Sequence, residues 1–391
     1  MKKRIAIIGK GTAGSQSIIH FLRFMPDCEI HWYFDENIET QSVGEGSGLD
    51  LPRNLFENLN FSCENLDKID ATLKIGIYKS GWGENGTPFL HGFPSPNVGL
   101  HFNAKSLQNF ILDEIKDKVV IHNKNIKFSD INADYIMDCS GKPNSYEEFY
   151  KSPFIPVNSV YITQCYWEYP KFQHTLTIAR PYGWVFGIPL KNRCSIGYLF
   201  NMNINNLDDI RNDVLNIFKE YNLNPSENTR HLEFNNYYRK QNFTERVIFN
   251  GNRSFFLEPL EATSISLMNI IQRDSFDVWN LNISIEQANL KYIRSIREIE
   301  TMIMLHYFSG SIYNTEFWKY AKENGKQSIE NSLKHDKKFL EFIQYALNIK
   351  QSNLCDQKPS YGSWWVGSFC QNIKGLGIES VINGIINAGE L

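Results

Sequence analysis

The sequence contains little of what marks a disulfide-rich or metal-binding chain. Its seven cysteines form no C-x-x-C pair, so neither a disulfide framework nor a zinc knuckle is predicted. The nine histidines show no H-x-x-x-H or H-E-x-x-H spacing, and we therefore predict no metal site. Reduced, mostly buried thiols and structural histidines are the simpler interpretation, while His91 and His101 are candidates to face a substrate.

An excess of one charge and a long apolar run are also missing. The 40 Lys and Arg residues oppose 43 Asp and Glu residues, and a net charge of −3 gives no field that would attract nucleic acid or an anionic membrane. No apolar run approaches the roughly 18 residues of a membrane span. The start MKKRIAIIGKG lacks the apolar region and cleavage site of a secretory signal. We expect a cytoplasmic protein that binds neither nucleic acid nor membrane.

The 391 residues do contain a large apolar and aromatic fraction, 42% and 14% respectively, which is typical of a packed globular chain. At about 150 residues per domain, this length predicts two or three lobes. The sequence has neither a fixed repeat period nor a long low-complexity linker, so we expect interlocked lobes.

The sharpest local pattern lies near the N-terminus. An apolar strand at Arg4–Ile8 leads into Gly9-Lys10-Gly11-Thr12-Ala13-Gly14 and then into a helical pattern, and Glu29–Phe34 supplies a second strand. Asp35 or Glu36 ends that strand, with Asp35 slightly favoured. Strand, glycine turn, helix, second strand and acid together form the fingerprint of a dinucleotide-binding site.

Each position of this fingerprint has a physical reason. Gly9 permits the tight turn, Gly11 lets the backbone approach a pyrophosphate, and Gly14 lets the helix pack closely. The free amides of the first helical turn, which includes Thr12 and Ala13, face the phosphates. The same pattern serves FAD and NAD, and a plain glycine turn is the alternative. Because no second such motif occurs, we predict a single nucleotide module.

Four further segments follow in order along residues 1–320. They are Val43-Gly44-Glu45-Gly46, the segment LKIGI at 73–77 followed by Trp82, GWVFGIP at Gly183–Pro189, and Gly251-Asn252 with FLEPLEATSI at 256–265. Together with the glycine fingerprint, they resemble the flavin-dependent halogenases, the tryptophan-halogenase-like branch of the FAD monooxygenase superfamily.

The resemblance implies an α/β fold in which a Rossmann-like FAD-binding domain of the FAD monooxygenase type is interleaved with an antiparallel-sheet substrate lobe. We expect the FAD-binding core at 1–145 and 240–280, the sheet lobe at 146–239 and a mostly helical region at 281–391. Short aromatic and β-branched runs within 159–200 are typical of such a sheet. Ser284 and Gln287 have the spacing of a capping box that opens a helix.

The resemblance also implies the chemistry. A separate NAD(P)H-dependent reductase would supply FADH2, which with O2 and halide yields hypohalous acid that halogenates an electron-rich aromatic substrate. Lys74 would hold or carry the oxidised halogen. Glu261 would stabilise the cationic arene or accept its proton. The first amides of a following helix, at Thr263 and Ser264, would bind halide.

The glycine fingerprint and the resemblance to the flavin-dependent halogenases together predict fourteen residues that bind the cofactor. They are Gly9, Gly11, Thr12, Ala13, Gly14, Asp35, Val43, Gly44, Glu45, Trp184, Ile188, Pro189, Gly251 and Leu257.

Simpler structural interpretations exist for the same residues. Lys74 alone would be read as a strand lysine whose amine reaches solvent. Glu261 would be an ordinary helix-start residue, and the segment around Trp184 a buried strand that meets a turn. Trp364 and Trp365 are expected to serve the core or a contact between lobes.

The sequence departs from the family pattern in three places. Phe186 replaces a tryptophan of the W-x-W-x-I-P signature, and Ala262 replaces the usual serine. Between His91 and His101 the chain is short where tryptophan halogenases carry a long segment that encloses free tryptophan. We therefore expect a different substrate, either a small molecule or an aromatic group presented by a carrier. A flavin monooxygenase without halogenation, or a degenerate flavin-binding protein, is the alternative.

Overall fold

The computed structural model describes residues 2–38, 45–349 and 359–387. Its α-helices in these ranges are α1 (Thr12–Phe24), α2 (Asp50–Leu59), α3 (Ala104–Ile115), α4 (Leu207–Glu220), α5 (Thr263–Trp279), α6 (Ile285–Ser309), α7 (Glu316–His335), α8 (Lys337–Asn348), α9 (Val366–Gly375) and α10 (Glu379–Asn387). Among the helices described, none has the length and apolar character that a bilayer crossing requires.

The strands in the same ranges are mostly short. They are β1 (Arg4–Ile8), β2 (Glu29–Phe34), β3 (Thr72–Lys74), β4 (Gly76–Ser80), β5 (Phe89–Gly92), β6 (Gly99–His101), β7 (Val120–Asn123), β8 (Tyr135–Asp138), β9 (Phe149–Lys151), β10 (Ser159–Tyr166), β11 (Thr175–Arg180), β12 (Gly183–Pro189), β13 (Arg193–Phe200), β14 (Asn224–Glu233), β15 (Tyr237–Arg239), β16 (Val247–Phe249), β17 (Phe255–Phe256), β18 (Ser360–Tyr361) and β19 (Trp364–Trp365).

The chain divides into two compact units, each assembled from three separate stretches. The first unit comprises Met1–Thr72, Gly99–Lys151 and Asn236–Ile296, and the second comprises Leu73–Val98, Ser152–Asn235 and Arg297–Leu391. The functional division into 1–145 with 240–280, 146–239 and 281–391 stays a prediction.

A five-stranded parallel sheet of order β16-β8-β1-β2-β7 forms the centre of the first unit. Its middle strand, β1, is apolar because a parallel sheet is normally covered on both faces. Helix α1 connects β1 to β2 and packs against α2, α3 and α5. The strands predicted at 4–8 and 29–34 are confirmed.

Helix boundaries follow their capping signals. Asn103 accepts a hydrogen bond from the amide of Ser106 at the start of α3. The predicted capping box is confirmed, since Ser284 and Gln287 exchange hydrogen bonds of 2.9 and 3.1 Å. Gly310 follows the end of α6 with a φ of 69°, a left-handed conformation that suits glycine after a helix.

A seven-stranded sheet of order β14-β10-β13-β12-β11-β4-β5 forms the centre of the second unit. Its neighbouring strands are antiparallel except for the parallel pair β11 and β4. The strands β4 and β5 come from the segment 73–98, far in sequence from the other five. With the parallel sheet of the first unit and the helices, this sheet confirms the predicted α/β class.

The two faces of this sheet have different roles. On one face, Ile210 and Val214 of α4 pack in a buried cluster with Val185 and Tyr198. Because side chains alternate along a strand, Trp184, Phe186 and Ile188 point to the opposite face of β12. A set of aromatic and aliphatic side chains in one strand therefore lines the face away from α4.

A buried ion pair ties the turn between β11 and β12 to α4. Arg180 donates to the two carboxylate oxygens of Asp213 at 3.0 and 2.6 Å, and both side chains are mostly buried. Tyr198 and Asn216 donate to the same carboxylate at 2.9 and 3.2 Å. Burial by itself would raise the pKa of Asp213, but the hydrogen bonds, above all those from Arg180, hold it below its ordinary value.

This ion pair makes a testable contribution to stability. We expect Asp213→Ala to lower the free energy of unfolding at pH 7 by about 3 kcal/mol, because the buried Arg180 loses its main partner. Because the pKa of Asp213 is lower in the folded protein than its ordinary value, the ionised carboxylate stabilises the fold at pH values above that ordinary pKa. This stabilisation is lost as the pH falls through the pKa of the folded state. Chemical denaturation across pH 2–7 measures this effect. In Asp213→Asn, the free energy of unfolding should fall less steeply toward acid pH than in the parent protein.

The matched control is Asp208→Asn, on the exposed side of the same helix. The role of the pair would be contradicted if Asp213→Asn left the pH dependence of the free energy of unfolding unchanged. It would also be contradicted if Asp213→Asn and Asp208→Asn lowered the free energy of unfolding equally.

Candidate active site

The glycine turn of the first unit is fixed by packing at two of its three glycines. Gly9 has a φ of 101°, and a Cβ placed there would lie 2.3 Å from the carbonyl oxygen of Cys139. A Cβ on Gly14 would lie 2.0 Å from the carbonyl oxygen of Gly9. A Cβ on Gly11 would meet no atom of the described residues within 4 Å. The open space above Gly11 is what a ligand that approaches the backbone requires.

A second predicted segment reaches the same turn. Gly251 has a φ of 58°, and a Cβ on it would lie 2.6 Å from the Cβ of Ala13 in the first turn of α1. The side chain of Asn250 accepts from the amide of Gly251 at 2.8 Å and holds this conformation. Gly11 precedes α1 without a capping side chain. The structure thus brings Gly251 and Ala13 together at a helix start that no side chain caps.

The predicted acidic residues take different positions. Asp35, directly after β2, accepts from the amide and the side chain of Asn37, both at 2.9 Å, and Glu36 is exposed. Glu45 is buried and accepts at 3.1 Å from the amide of Ala104, so it caps α3. The sequence did not indicate this capping role.

Val43 and Gly44, also predicted at the cofactor, lie outside the described residues. Leu257 is buried in the first unit.

The motif FLEPLEATSI contains a strained start of α5. Glu261 and Ala262 have φ values of 67° and 54°, left-handed conformations that non-glycine residues rarely adopt. Helix α5 then begins at Thr263, without a capping side chain, and places Thr263 and Ser264 in its first turn. Such strain costs on the order of 1–2 kcal/mol per residue and is concentrated at functional sites. Sequence analysis missed it, because neither Glu nor Ala signals this conformation.

In the second unit, Lys74 ends β3 with a side chain that is 1% exposed. Its Nζ lies 5.6 Å from the centroid of the Phe93 ring. Fully buried lysines are rare, because the charged amine loses its hydration. The structural alternative, a strand lysine whose amine reaches solvent, is therefore wrong.

The predicted apolar wall is a continuous buried surface on β12. The rings of Trp184 and Phe186 lie 6.4 Å apart between centroids, and Ile188 extends the same face; Pro189, also buried, ends the strand with the alternation of the opposite face. The indole of Trp184 donates to the hydroxyl of Tyr307 at 3.0 Å. A Cβ on Gly197, the cross-strand partner of Phe186, would lie 2.1 Å from the Phe186 ring, so glycine makes room for it.

The same face carries a second buried lysine that sequence analysis did not single out. Phe186, Thr177, Lys79 and Phe89 are successive partners across β12, β11, β4 and β5, so their side chains share one face. Lys79 is 0% exposed. The signal in the sequence is a lysine two residues after Ile77, on the same face of a short strand.

Helices of the second unit hold the Lys79 amine. Its Nζ lies 2.6 Å from Nε2 of His306 and donates to the side-chain oxygen of Asn372. The rings of Phe89 and Trp364 lie 5.7 and 5.6 Å from it, close enough for cation–π attraction.

The histidine in this group has a defined tautomer. Nδ1 of His306 lies 3.1 Å from the carbonyl oxygen of Met302, which can only accept, so Nδ1 carries the hydrogen. Nε2 of His306 is then the ring nitrogen that contacts Lys79 Nζ. The lysine and the histidine thus form a hydrogen-bonded pair inside an aromatic enclosure.

The remaining histidine and tryptophan candidates have structural contacts. His91 is hydrogen-bonded to Ser368 at 2.9 Å, and His101 to Thr72 at 3.1 Å, and both rings are buried. Trp364 is also buried. Across the described part of the chain, no three His, Cys, Asp or Glu side chains lie close enough to hold a metal ion.

Comparison with known proteins identifies the relatives of this chain. The family model for tryptophan halogenase matches residues 4–127 and 124–353, which confirms the family predicted from the motifs. A flavin-dependent halogenase structure from Xanthomonas campestris is 18% identical, with a TM-score of 0.77 over 97% of this chain and 89% of that chain.

Two other solved structures share the fold. A tryptophan halogenase from Shewanella frigidimarina is 17% identical, with a TM-score of 0.76 over 99% of this chain and 93% of that one. MibH, a lanthipeptide tryptophan 5-halogenase, is 15% identical, with a TM-score of 0.77 over 96% and 86% of the two chains.

The glycine turn yields a prediction with a built-in control. Gly14→Ala should lower the melting temperature of the flavin-free protein by roughly 5 °C or more, because its Cβ cannot fit against Gly9. Gly11→Ala should leave the melting temperature within about 1 °C, because space surrounds its Cβ and its φ of −58° suits alanine. Thermal unfolding followed by circular dichroism measures both, and equal losses in the two variants would contradict the packing argument.

Proposed function

The chain belongs to the tryptophan halogenase family, and on that premise we propose that it is a FADH2-dependent halogenase. It uses O2 and halide to form hypohalous acid and halogenates an electron-rich aromatic substrate other than free tryptophan. The observation that carries the proposal is the burial of Lys74, an amine in the segment that resembles the family's catalytic lysine segment.

Several features of the first unit fit FAD. The open space at Gly11 and the uncapped start of α1, with Thr12 and Ala13, are suited to a pyrophosphate. We propose that Gly9, Gly14 and Gly251 shape this Rossmann-like cradle and that Asp35 binds the ribose, while Glu36 is the alternative. Reduced flavin, when bound, would supply two of the four electrons that O2 takes up, and the halide that is oxidised would supply the other two.

Other cofactor residues are proposed from the family resemblance alone. In the first unit these are Val43, Gly44, Glu45 and Leu257. In the second unit they are Trp184, Ile188 and Pro189, whose apolar surface suits the exclusion of water and substrate from a reactive flavin.

The proposed chemistry of the protein depends on two side chains and two amides. Lys74 binds hypohalous acid through its amine and presents the halogen to the substrate; its burial keeps the reagent away from water. Glu261 stabilises the cationic arene or takes its proton. The amides of Thr263 and Ser264 bind halide, an anion that the start of a helix favours.

The substrate and the electron source are inferred from what the chain has and lacks. The short segment between His91 and His101 argues against a lid for free tryptophan. The fold itself is compatible with a larger substrate, because MibH is a lanthipeptide tryptophan 5-halogenase. A single dinucleotide fingerprint favours delivery of FADH2 by a separate NAD(P)H-dependent flavin reductase.

A second candidate function is oxygen insertion without halide. Phe186 favours it, because its ring cannot make the hydrogen bond that an indole would make at this wall position. Mass spectrometry with and without bromide separates the candidates: a hydroxylated product that forms equally without halide supports the monooxygenase.

The two buried lysines provide the main test of the proposed function. Lys74→Met should lower halogenated product by roughly 100-fold or more, because no amine is left to hold hypohalous acid, with FAD affinity unchanged. Lys79→Met, a matched change of another buried lysine five residues away, should lower the melting temperature but keep halogenation. Product is measured by mass spectrometry with FADH2, O2, bromide and a panel of aromatic substrates.

Circular dichroism checks that both variants fold. If Lys74→Met keeps full activity while folded Lys79→Met has none, the role assigned to Lys74 is wrong.

A further inference from the structure

Lys10 stands between the first two glycines of the fingerprint, and neither the fingerprint nor the family resemblance gives it a role. We propose that the Lys10 ammonium binds the diphosphate of an adenine dinucleotide at the start of α1. The inference rests on the proposed function for the identity of that dinucleotide as FAD. Binding of the diphosphate is a separate property, which is measurable without flavin chemistry.

The backbone of Lys10 is held from two sides. Its carbonyl oxygen accepts from the hydroxyl of the buried Ser15 at 2.8 Å. In the preceding Gly9, the amide donates to the carbonyl of Tyr33 at 2.8 Å, and the carbonyl accepts from the indole of Trp32 at 3.0 Å. The lysine therefore projects from a turn that contacts with α1 and β2 keep in place. A residue whose backbone is already ordered loses little conformational entropy when it binds a ligand.

The ammonium of Lys10 lies over the end of β2. Its Nζ is 5.3 Å from the centroid of the Phe34 ring, which is within the range of cation–π attraction. Phe34 is the last residue of β2, and the residue before it, Tyr33, pairs with Ile8 at the end of β1. Ligands of open α/β sheets bind outside these carboxyl ends of the strands. The charge therefore lies beside the turn where the fingerprint predicts the phosphates.

This positive charge is not compensated by a carboxylate. Among the described residues, none forms an ion pair with Lys10, and the carboxylate of Asp35 is used by hydrogen bonds from its own turn. Arg253, at the same end of the sheet, differs in this respect, because it donates at 3.0 Å to the buried Asp138. Lys10 thus adds a positive charge to the positive end of α1, which no side chain caps.

The chemistry of these groups selects a phosphate ligand. An ammonium has three N–H donors and no acceptor, and the orphan amides of a helix start also need acceptors. The open space at Gly11 leaves room for a ligand next to both. A diphosphate carries charged oxygens on linked phosphorus atoms, so it can satisfy the amides and the ammonium of Lys10 together. Such a cation also favours the capture of FADH2 that a separate reductase releases into solution.

Binding of 5′-ADP tests the proposal without turnover, because ADP carries the adenosine and the diphosphate but no flavin. In isothermal titration calorimetry, Lys10→Met should weaken ADP binding by roughly fivefold, since methionine keeps an apolar stem and removes the charge. Lys10→Arg should keep the affinity within about twofold of the parent. Raised salt should weaken ADP binding more in the parent than in Lys10→Met, because the ammonium is partly exposed. FAD, followed through its fluorescence, should show the same dependence on Lys10.

Lys3→Met is the matched control. Lys3 directly precedes β1, at the end of the strand opposite Lys10, and its Nζ also lies over an aromatic ring, 5.0 Å from the centroid of Tyr135. This variant should bind ADP and FAD as the parent does. Circular dichroism checks that both variants fold, and Lys10→Met should keep the melting temperature within about 1 °C because its side chain is partly exposed.

Three results would overturn the proposal. The first is equal affinity of the parent and Lys10→Met for ADP and FAD, and the second is equal weakening by Lys10→Met and Lys3→Met. The third is tighter binding of 2′,5′-ADP than of 5′-ADP that is lost in Lys10→Met, which would assign the lysine to a phosphate on the ribose. If binding depends on Lys10 as expected but no aromatic compound is halogenated, the diphosphate site stands and the proposed function fails. If halogenation is observed, Lys10→Met should raise the FADH2 concentration that gives half the maximal rate and leave kcat unchanged.

Discussion

A lysine amine that is removed from water must be compensated by its neighbours, and the second unit is arranged around two such amines. Lys79 is compensated by Nε2 of His306, the amide oxygen of Asn372 and two aromatic rings, which come from β5, β19, α6 and α9. Its partners therefore join the sheet to the helices on that face. Lys74 is also almost fully buried, and its Nζ lies 5.6 Å from the centroid of the Phe93 ring. We assign reactivity to Lys74 because its segment resembles the family's catalytic lysine segment, and a structural role to Lys79 because its partners join the sheet to the helices.

The sequence predicted the features that depend on local sterics. The turn at Gly9 and Gly14 is one of these, because a Cβ at either position collides with nearby backbone, and that requirement is visible as a short motif. The capping box at Ser284 is another, because both partners lie within one helical turn. Family and α/β class followed from several such motifs that occur in a fixed order.

The features that the sequence did not predict depend on distant partners or on strain. Lys79 shares a face with Phe186 only because β4 pairs with β11, about 100 residues later, and no local pattern specifies that pairing. Glu45 caps α3 from about 60 residues away. The left-handed pair at Glu261 and Ala262 runs against the preference of both residues, so only the surrounding structure can impose it.

Phe186 stands where the family pattern has tryptophan, and a neighbouring strand of the sheet is adapted to its ring. Its ring lies against the bare backbone of Gly197, where even a Cβ would collide with it, so β13 is adapted to the ring above it. The neighbouring indole of Trp184 turns its N–H to Tyr307, inside the second unit. Phe186 has no hydrogen-bond donor, and the donor of Trp184 is already used by the protein. The wall can therefore exclude water and restrict approach by its shape, and the recognition of a substrate by hydrogen bonds must come from other residues.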